Sequence, residues 1–290
     1  PMTKLLLTFA MLCLLPLGAS ADETKDEAVT LATSVLAGVQ QTNDTEQLKK
    51  VIVELQKAAQ VLNQGGASCT TAAMNKNWSL ADATSYCSKV STLAGNMCAV
   101  KAMDKNWSLS DAASYCSKMT SSGGLCTQIA MDKNWSLPDT TSYCSRITTM
   151  AADQCSQTAM NVNWSLPDST SYCSKLTVSG GLCTQTAMSK NWSLPDSTSY
   201  CSQITSDAAD QCTQAALLKN SSLPDAVSYC SQLKSSGALC TQTALKKNWS
   251  IADSTSYCSA ITTPAADACA KTALEKNMSL PDAVSQCKGL

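Results

Sequence analysis

The sequence predicts an all-α protein: an α-solenoid of eight disulfide-stapled helical hairpins in 28- or 29-residue repeats, preceded by an N-terminal helical cap. Three observations predict it. Sixteen of the 17 Cys recur from position 69 to position 287 with separations that alternate between 18 and 10 or 11 residues. Each 18-residue interval contains Asn-x-Ser-x-x-Asp, a pattern that can stop one helix and start another. The flanking stretches suit helices, the first free of Gly and Pro and the second with apolar residues on one helical face.

At the N-terminus, Lys4 precedes the apolar run Leu5 to Leu17, and Ala19-Ser20-Ala21 fits a small-x-small cleavage site. Residues 1–21 are therefore expected to be a signal peptide, which takes Cys13 with it and leaves an even number of Cys. An even count in an exported chain points to disulfides and to a secreted or extracellular location, periplasmic in a bacterium. Residues 22–68 contain no Cys. Leu48, Val51, Ile52, Leu55, Ala59 and Leu62 fall on one face of a helix that Asp44 and Gln47 can cap, and Asn63-Gln64-Gly65-Gly66 can end it. The segment reads as a hairpin covering one end of the stack; a coiled-coil dimerisation segment is the alternative.

Eight tandem repeats then fill residues 69–290: 69–97, 98–125, 126–154, 155–182, 183–211, 212–239, 240–268 and 269–290. A longer period lies over them. Cys126, Cys183 and Cys240 are 57 residues apart, as are Cys98, Cys155, Cys212 and Cys269, so the duplicated unit reads as a pair of repeats. One member follows a Gly-containing linker such as Ser122-Gly123-Gly124-Leu125, the other an Ala-Ala-Asp linker such as Ala151-Ala152-Asp153-Gln154.

The fifth copy shows the local logic. Cys183 to Lys190 can form a helix that Asn191 stops in the left-handed conformation. Ser193 and Asp196 resemble a capping box with Asp in place of Glu, and Pro195 in the first helical turn is tolerated. Leu194, Ser197 or Thr198, Cys201 and Ile204 share one face, with Tyr200 beside them. Cys183 and Cys201 each lie nine positions from Trp192, so an antiparallel hairpin sets them at equal height. The expected bridges are Cys69 to Cys87, Cys98 to Cys116, Cys126 to Cys144, Cys155 to Cys173, Cys183 to Cys201, Cys212 to Cys230, Cys240 to Cys258, and Cys269 to Cys287. Joining each second Cys to the next repeat's first Cys is the rival scheme. It strands Cys69 and Cys287 and rests on the variable interval.

Three recurrent positions have two readings each. Asn77, Asn106, Asn134, Asn163, Asn191, Asn220, Asn248 and Asn277 open Asn-x-Ser tripeptides, and Asn43-Asp44-Thr45 adds a ninth tripeptide of that class. They are formal N-glycosylation acceptors, while capping alone also produces the pattern. Trp78, Trp107, Trp135, Trp164, Trp192 and Trp249 occupy the turn, with Ser221 and Met278 in the other copies. They suit either a staple against the hairpin or a ligand ladder, one ring per repeat. Tyr precedes the second Cys in seven copies, with Gln286 in the last, and is expected to cover the disulfide and pack between neighbours.

Composition bounds the function. The chain has no His, so His-based catalytic sets and His-containing zinc sites are excluded. With 21 basic and 22 acidic side chains it lacks the basic field of a nucleic-acid binder. No catalytic residue, metal site or cofactor motif is read. The expected role is a secreted, non-enzymatic scaffold for protein or polysaccharide interaction through the repeated face. The alternatives are a self-assembling structural glycoprotein and a secreted inhibitor or effector acting on a foreign protein. No membrane span is expected after signal removal.

Overall fold

The computed structural model describes residues 67–290. The expected signal peptide, Asn43 and all but the last residues of the expected cap lie outside the described residues. The chain divides into two compact units, one ending at Ser145 and the other running from Arg146 to Leu290.

Among the described residues the first unit holds α1 (Ala67–Asn75), α2 (Leu80–Cys87), α3 (Leu93–Asp104), α4 (Leu109–Cys116), α5 (Gly124–Asp132) and α6 (Leu137–Cys144). The second unit holds α7 (Met150–Asn161), α8 (Leu166–Cys173), α9 (Gly181–Ser189), α10 (Leu194–Cys201), α11 (Asp207–Leu218), α12 (Leu223–Cys230), α13 (Ala238–Lys246), α14 (Ile251–Cys258), α15 (Pro264–Glu275) and α16 (Leu280–Cys287). Consecutive helices form antiparallel hairpins. Within each unit the first helices stack on first helices (α1, α3, α5; α7, α9, α11, α13, α15) and the second on second. This is the contact pattern of an α-solenoid.

Every hairpin turns on the same fused pair of caps. In the fifth, Asn191 has φ +66°. Its N–H donates to the Met188 carbonyl at 3.0 Å, and the Trp192 N–H donates to the Ala187 carbonyl at 3.1 Å. These are the two bonds of a Schellman motif, with Asn at the left-handed position. One residue later Ser193 caps α10: its Oγ accepts from the Asp196 N–H. The carboxylate does not reach back to the cap amide as a capping-box Glu does. Being shorter, Asp196 accepts the Ser193 hydroxyl proton on Oδ2 at 2.6 Å. A single residue, Trp192, thus separates the left-handed Asn191 that ends one helix from the Ser193 cap that starts the next, and the hairpin is tight for that reason.

Each hairpin is closed by a disulfide between Cys residues 18 apart, with Cα–Cα distances of 5.6–5.8 Å. Around the sulfurs the core is built of small and aliphatic side chains: Leu109, Met131 and Leu137 in the first unit, and Met160, Leu166, Leu194, Leu217 and Leu223 in the second. The second helices end at their Cys, so Ile204 lies beyond α10. It folds back onto the same face through an N–H bond to the Cys201 carbonyl and is buried.

The 57-residue period has a structural cause. α3, α7, α11 and α15 have 12 residues, and α5, α9 and α13 have nine. The long helices carry their own N-caps, Thr92, Thr149, Ser206 and Thr263. Each cap hydroxyl also donates to a loop carbonyl 27 residues on, as from Thr149 to Leu176 and from Ser206 to Leu233. The short helices start at Gly123, Gly180 and Gly237, with φ +93° to +96° and no side-chain cap. A side chain at Gly180 would place its Cβ 2.5 Å from the Cys201 carbonyl oxygen.

In the second unit the following long helix supplies the missing cap. Asp210 of α11 accepts the Leu182 and Cys183 amides of α9 at 3.1 and 2.8 Å, and Asp267 of α15 does the same for Leu239 and Cys240. In the first unit Asn96 accepts the Cys69 amide. Within each unit a short-helix repeat therefore needs the long-helix repeat after it.

Burial pushes the Asp210 carboxyl pKa up, against the three amide donors of Gly180, Leu182 and Cys183 that lower it, while the Asp207 charge raises it further. A raised native pKa means the folded chain takes up this proton before the unfolded chain does. This group's contribution to stability therefore increases as pH falls through the carboxylate range. Asp210→Ala leaves two amides uncapped and should cost about 1–3 kcal/mol. Asp210→Asn keeps an acceptor, as Asn96 does, and should cost less. Urea denaturation at neutral and acidic pH checks both: the wild type should gain on Asp210→Asn as pH falls, and equal losses for the two variants contradict the cap.

Among the described residues four buried hydroxyls, Thr140, Ser169, Ser197 and Ser254, have no hydrogen-bond partner. They occupy one repeat position, which in the other hairpins is Ala83, Ala112, Ala226 and Ala283. Ser169→Ala and Ser197→Ala should each stabilise by about 1 kcal/mol, since they remove an uncompensated desolvation and improve helix propensity. Urea midpoints check this; a fall in midpoint contradicts it.

Candidate functional site: the hairpin-turn edge

In-register stacking places the turns of each unit along one edge. All eight turn asparagines are exposed, with φ between +63° and +70°. Beside them Trp107, Trp135, Trp164, Trp192 and Trp249 are half-buried, and Trp78 is exposed at 38%. The first unit carries Trp78, Trp107 and Trp135 on successive hairpins. In the second, Trp164 and Trp192 are adjacent, Ser221 interrupts, and Trp249 and Met278 follow.

Tyr172 and Tyr200 meet Trp164 and Trp192 of their own hairpins edge-on, with centroids 6.4 Å apart and interplanar angles of 72° and 76°. Lys175 lies over the Tyr172 ring at 5.0 Å, and Lys89 and Lys118 lie similarly over Tyr86 and Tyr115. Such aromatic and cation–π contacts fix ring orientation while leaving part of each ring in solvent.

Neighbouring turns are tied together by lysines. Lys190 Nζ donates to Asn220 Oδ1 at 3.0 Å, and Lys247 Nζ donates to Asn277 Oδ1 at 2.6 Å. In the first unit Lys101 and Lys105 meet Asp132 at 2.7 and 3.3 Å. The Lys101 hydrogen bond, reinforced by Lys105, holds the Asp132 carboxyl below its ordinary pKa despite some desolvation. The sequence reading did not single out these lysines. A Lys stands immediately before the turn Asn in seven of the eight copies, with Val162 in the other, so alignment of the repeats one column further left reveals the row.

The Ser–Asp pairs could be mistaken for activated nucleophiles. The hydroxyl oxygen, however, also accepts the Asp backbone N–H, and the same arrangement caps a helix in every hairpin. Among the described residues no group of three or more metal-ligating side chains converges, and no helix is long and apolar enough to cross a membrane. At the opposite edge of the second unit, the shorter α9 leaves an open cleft bounded by Met150, Gln154, Val178, Leu182, Asp207 and Asp210. Its lining is not kept from pair to pair, since Pro264 and Ala268 stand where Asp207 and Gln211 stood.

No protein-family model, curated protein or solved structure matches this chain.

Proposed function

We propose that the chain is a non-enzymatic binding scaffold acting outside the cell or at its surface, with the hairpin-turn edge as its recognition face. One observation carries the reading: the same group of an exposed Asn and a part-exposed Trp recurs on successive hairpins in a fixed backbone geometry. Helices pack roughly 8–10 Å apart, so such rings offer evenly spaced stacking surfaces to an extended partner. Aromatic faces flanked by amide and ammonium donors suit a polysaccharide, whose rings stack and whose hydroxyls accept and donate hydrogen bonds. A protein chain carrying a repeated motif is the other partner class for the same edge.

The test is retention of the oxidised protein in polysaccharide-containing affinity gels. Trp135→Ala, Trp164→Ala and Trp192→Ala should each weaken retention by several-fold while leaving the helical circular dichroism signal unchanged. Absence of retention of the wild type across neutral, acidic and amino-sugar polysaccharides contradicts the ring edge as a site for free polysaccharide.

A further inference from the structure

We infer that the eight turn asparagines are N-glycan acceptors, and that the sugar each turn Trp holds is the one attached beside it. The inference deepens the ring-edge reading and rests on the turn edge being the exposed face.

Helix capping does not by itself require the residues found at the turn. A left-handed C-terminal cap is best served by Gly, and an N-cap is served as well by Asp, Asn or Thr as by Ser. Capping alone therefore lets both positions drift. Elsewhere in this chain caps do drift: the long helices start at Thr or Ser, and Asn96 stands where Asp210 and Asp267 stand. At the turns Asn and Ser are present in all eight copies, whereas the residue between them varies among Trp, Ser and Met and is never Pro. Invariance at the first and third positions with a free, non-Pro middle is the requirement of the acceptor tripeptide.

Each Asn side chain is exposed at the tip of a hairpin, so a substituent on Nδ2 displaces nothing from the core. At Asn220 and Asn277 the folded protein engages the amide through Oδ1 and leaves Nδ2 to the substituent. The part-exposed ring of the next residue offers a stacking face to the first sugar.

The fold also sets the order of events. In the closed hairpin the Ser193 hydroxyl is bonded to both the carboxylate and the amide of Asp196, so the tripeptide is readable only in the open chain. Transfer must precede closure of the Cys183–Cys201 loop. In that step Asn191 Nδ2 bonds to the anomeric carbon of a polyprenyl-diphosphate-linked oligosaccharide. The carbon–oxygen bond to the diphosphate breaks, the amide nitrogen loses a proton, and polyprenyl diphosphate leaves.

Mass spectrometry of the native protein before and after peptide-N-glycosidase treatment tests this. Loss of oligosaccharide mass with conversion of turn Asn to Asp is expected; unmodified Asn at all eight turns overturns the inference. In a glycosylating secretory host, Asn191→Gly should fold normally and lose one glycan. Ser193→Thr should keep the Asn191 glycan, and Ser193→Ala should lose it. Trp192→Ala should lower the melting temperature of the glycosylated protein more than that of the enzymatically deglycosylated one; equal shifts overturn the stacking. The polysaccharide-gel test fails separately: unmodified protein with Trp-dependent retention leaves the ring edge standing without its own sugars, and modified protein without retention does the reverse.

Discussion

Reduced and blocked at its thiols, the chain should lose its helices at temperatures where the oxidised chain is fully folded. The reason lies in the size of the parts. The second helices are eight residues long and the short first helices nine, below the length at which isolated helices persist in water. The core they share is largely Ala, Cys and Thr with at most four larger aliphatic residues per hairpin, so burial within one hairpin offsets only part of its chain entropy. Closing a loop of this length contributes on the order of 3 kcal/mol per disulfide in the chain-entropy model. Eight such loops contribute more than the net stability of a typical domain, so their loss should unfold the chain. The position of a lost bridge should also matter. Cys183→Ala with Cys201→Ala interrupts the second unit inside the stack, whereas Cys269→Ala with Cys287→Ala frays one end, because a linear array is held by nearest-neighbour interfaces. Thermal circular dichroism reads both effects, and superimposable curves for oxidised and reduced protein contradict the stapled-hairpin account.

Deleting residues 183–239, a full pair of repeats, should leave a folded protein, whereas deleting residues 183–211, a single repeat, should destabilise it by several kcal/mol. After the pair deletion Gly180-Gly181-Leu182 leads into Cys240, in the same register as the native Gly237-Ala238-Leu239. Asp267 then remains in place to cap the helix that follows the junction. After the single deletion the same linker leads into Cys212, and the Ser206 cap is gone. The next repeat offers Ala238 at the position where Asp210 or Asp267 would accept the orphaned amides. Two uncapped amides and one lost N-cap, at about 1–3 and about 1 kcal/mol, account for the expected loss. Equal stability of the two deletion proteins contradicts the pair as the structural unit.

These two expectations mark what is legible in the sequence and what is not. The hairpin is legible because its determinants are local: Asn and Ser act on amides within a few residues of themselves, and the constant 18-residue interval straddles them. The pairing of repeats shows as a 57-residue period, but its cause does not, because Asp210 acts on amides 27 and 28 residues away. The same distance hides the Thr149 bond to the Leu176 carbonyl. The unpartnered hydroxyls of Ser169 and Ser197 look like ordinary polar helix residues until packing buries them. At the turn edge the Trp positions stand out by their rarity, whereas the Trp–Tyr contacts and the Lys190–Asn220 bridge depend on how rings and chains cross between elements.

The central claim is that each hairpin is closed upon itself by its own disulfide. Mapping the linkages in a non-reduced proteolytic digest of the native protein tests it most directly. The account predicts that every bridge joins Cys residues 18 apart, as in Cys87 with Cys69 and Cys201 with Cys183. A linkage of Cys87 to Cys98, or of Cys201 to Cys212, would contradict it.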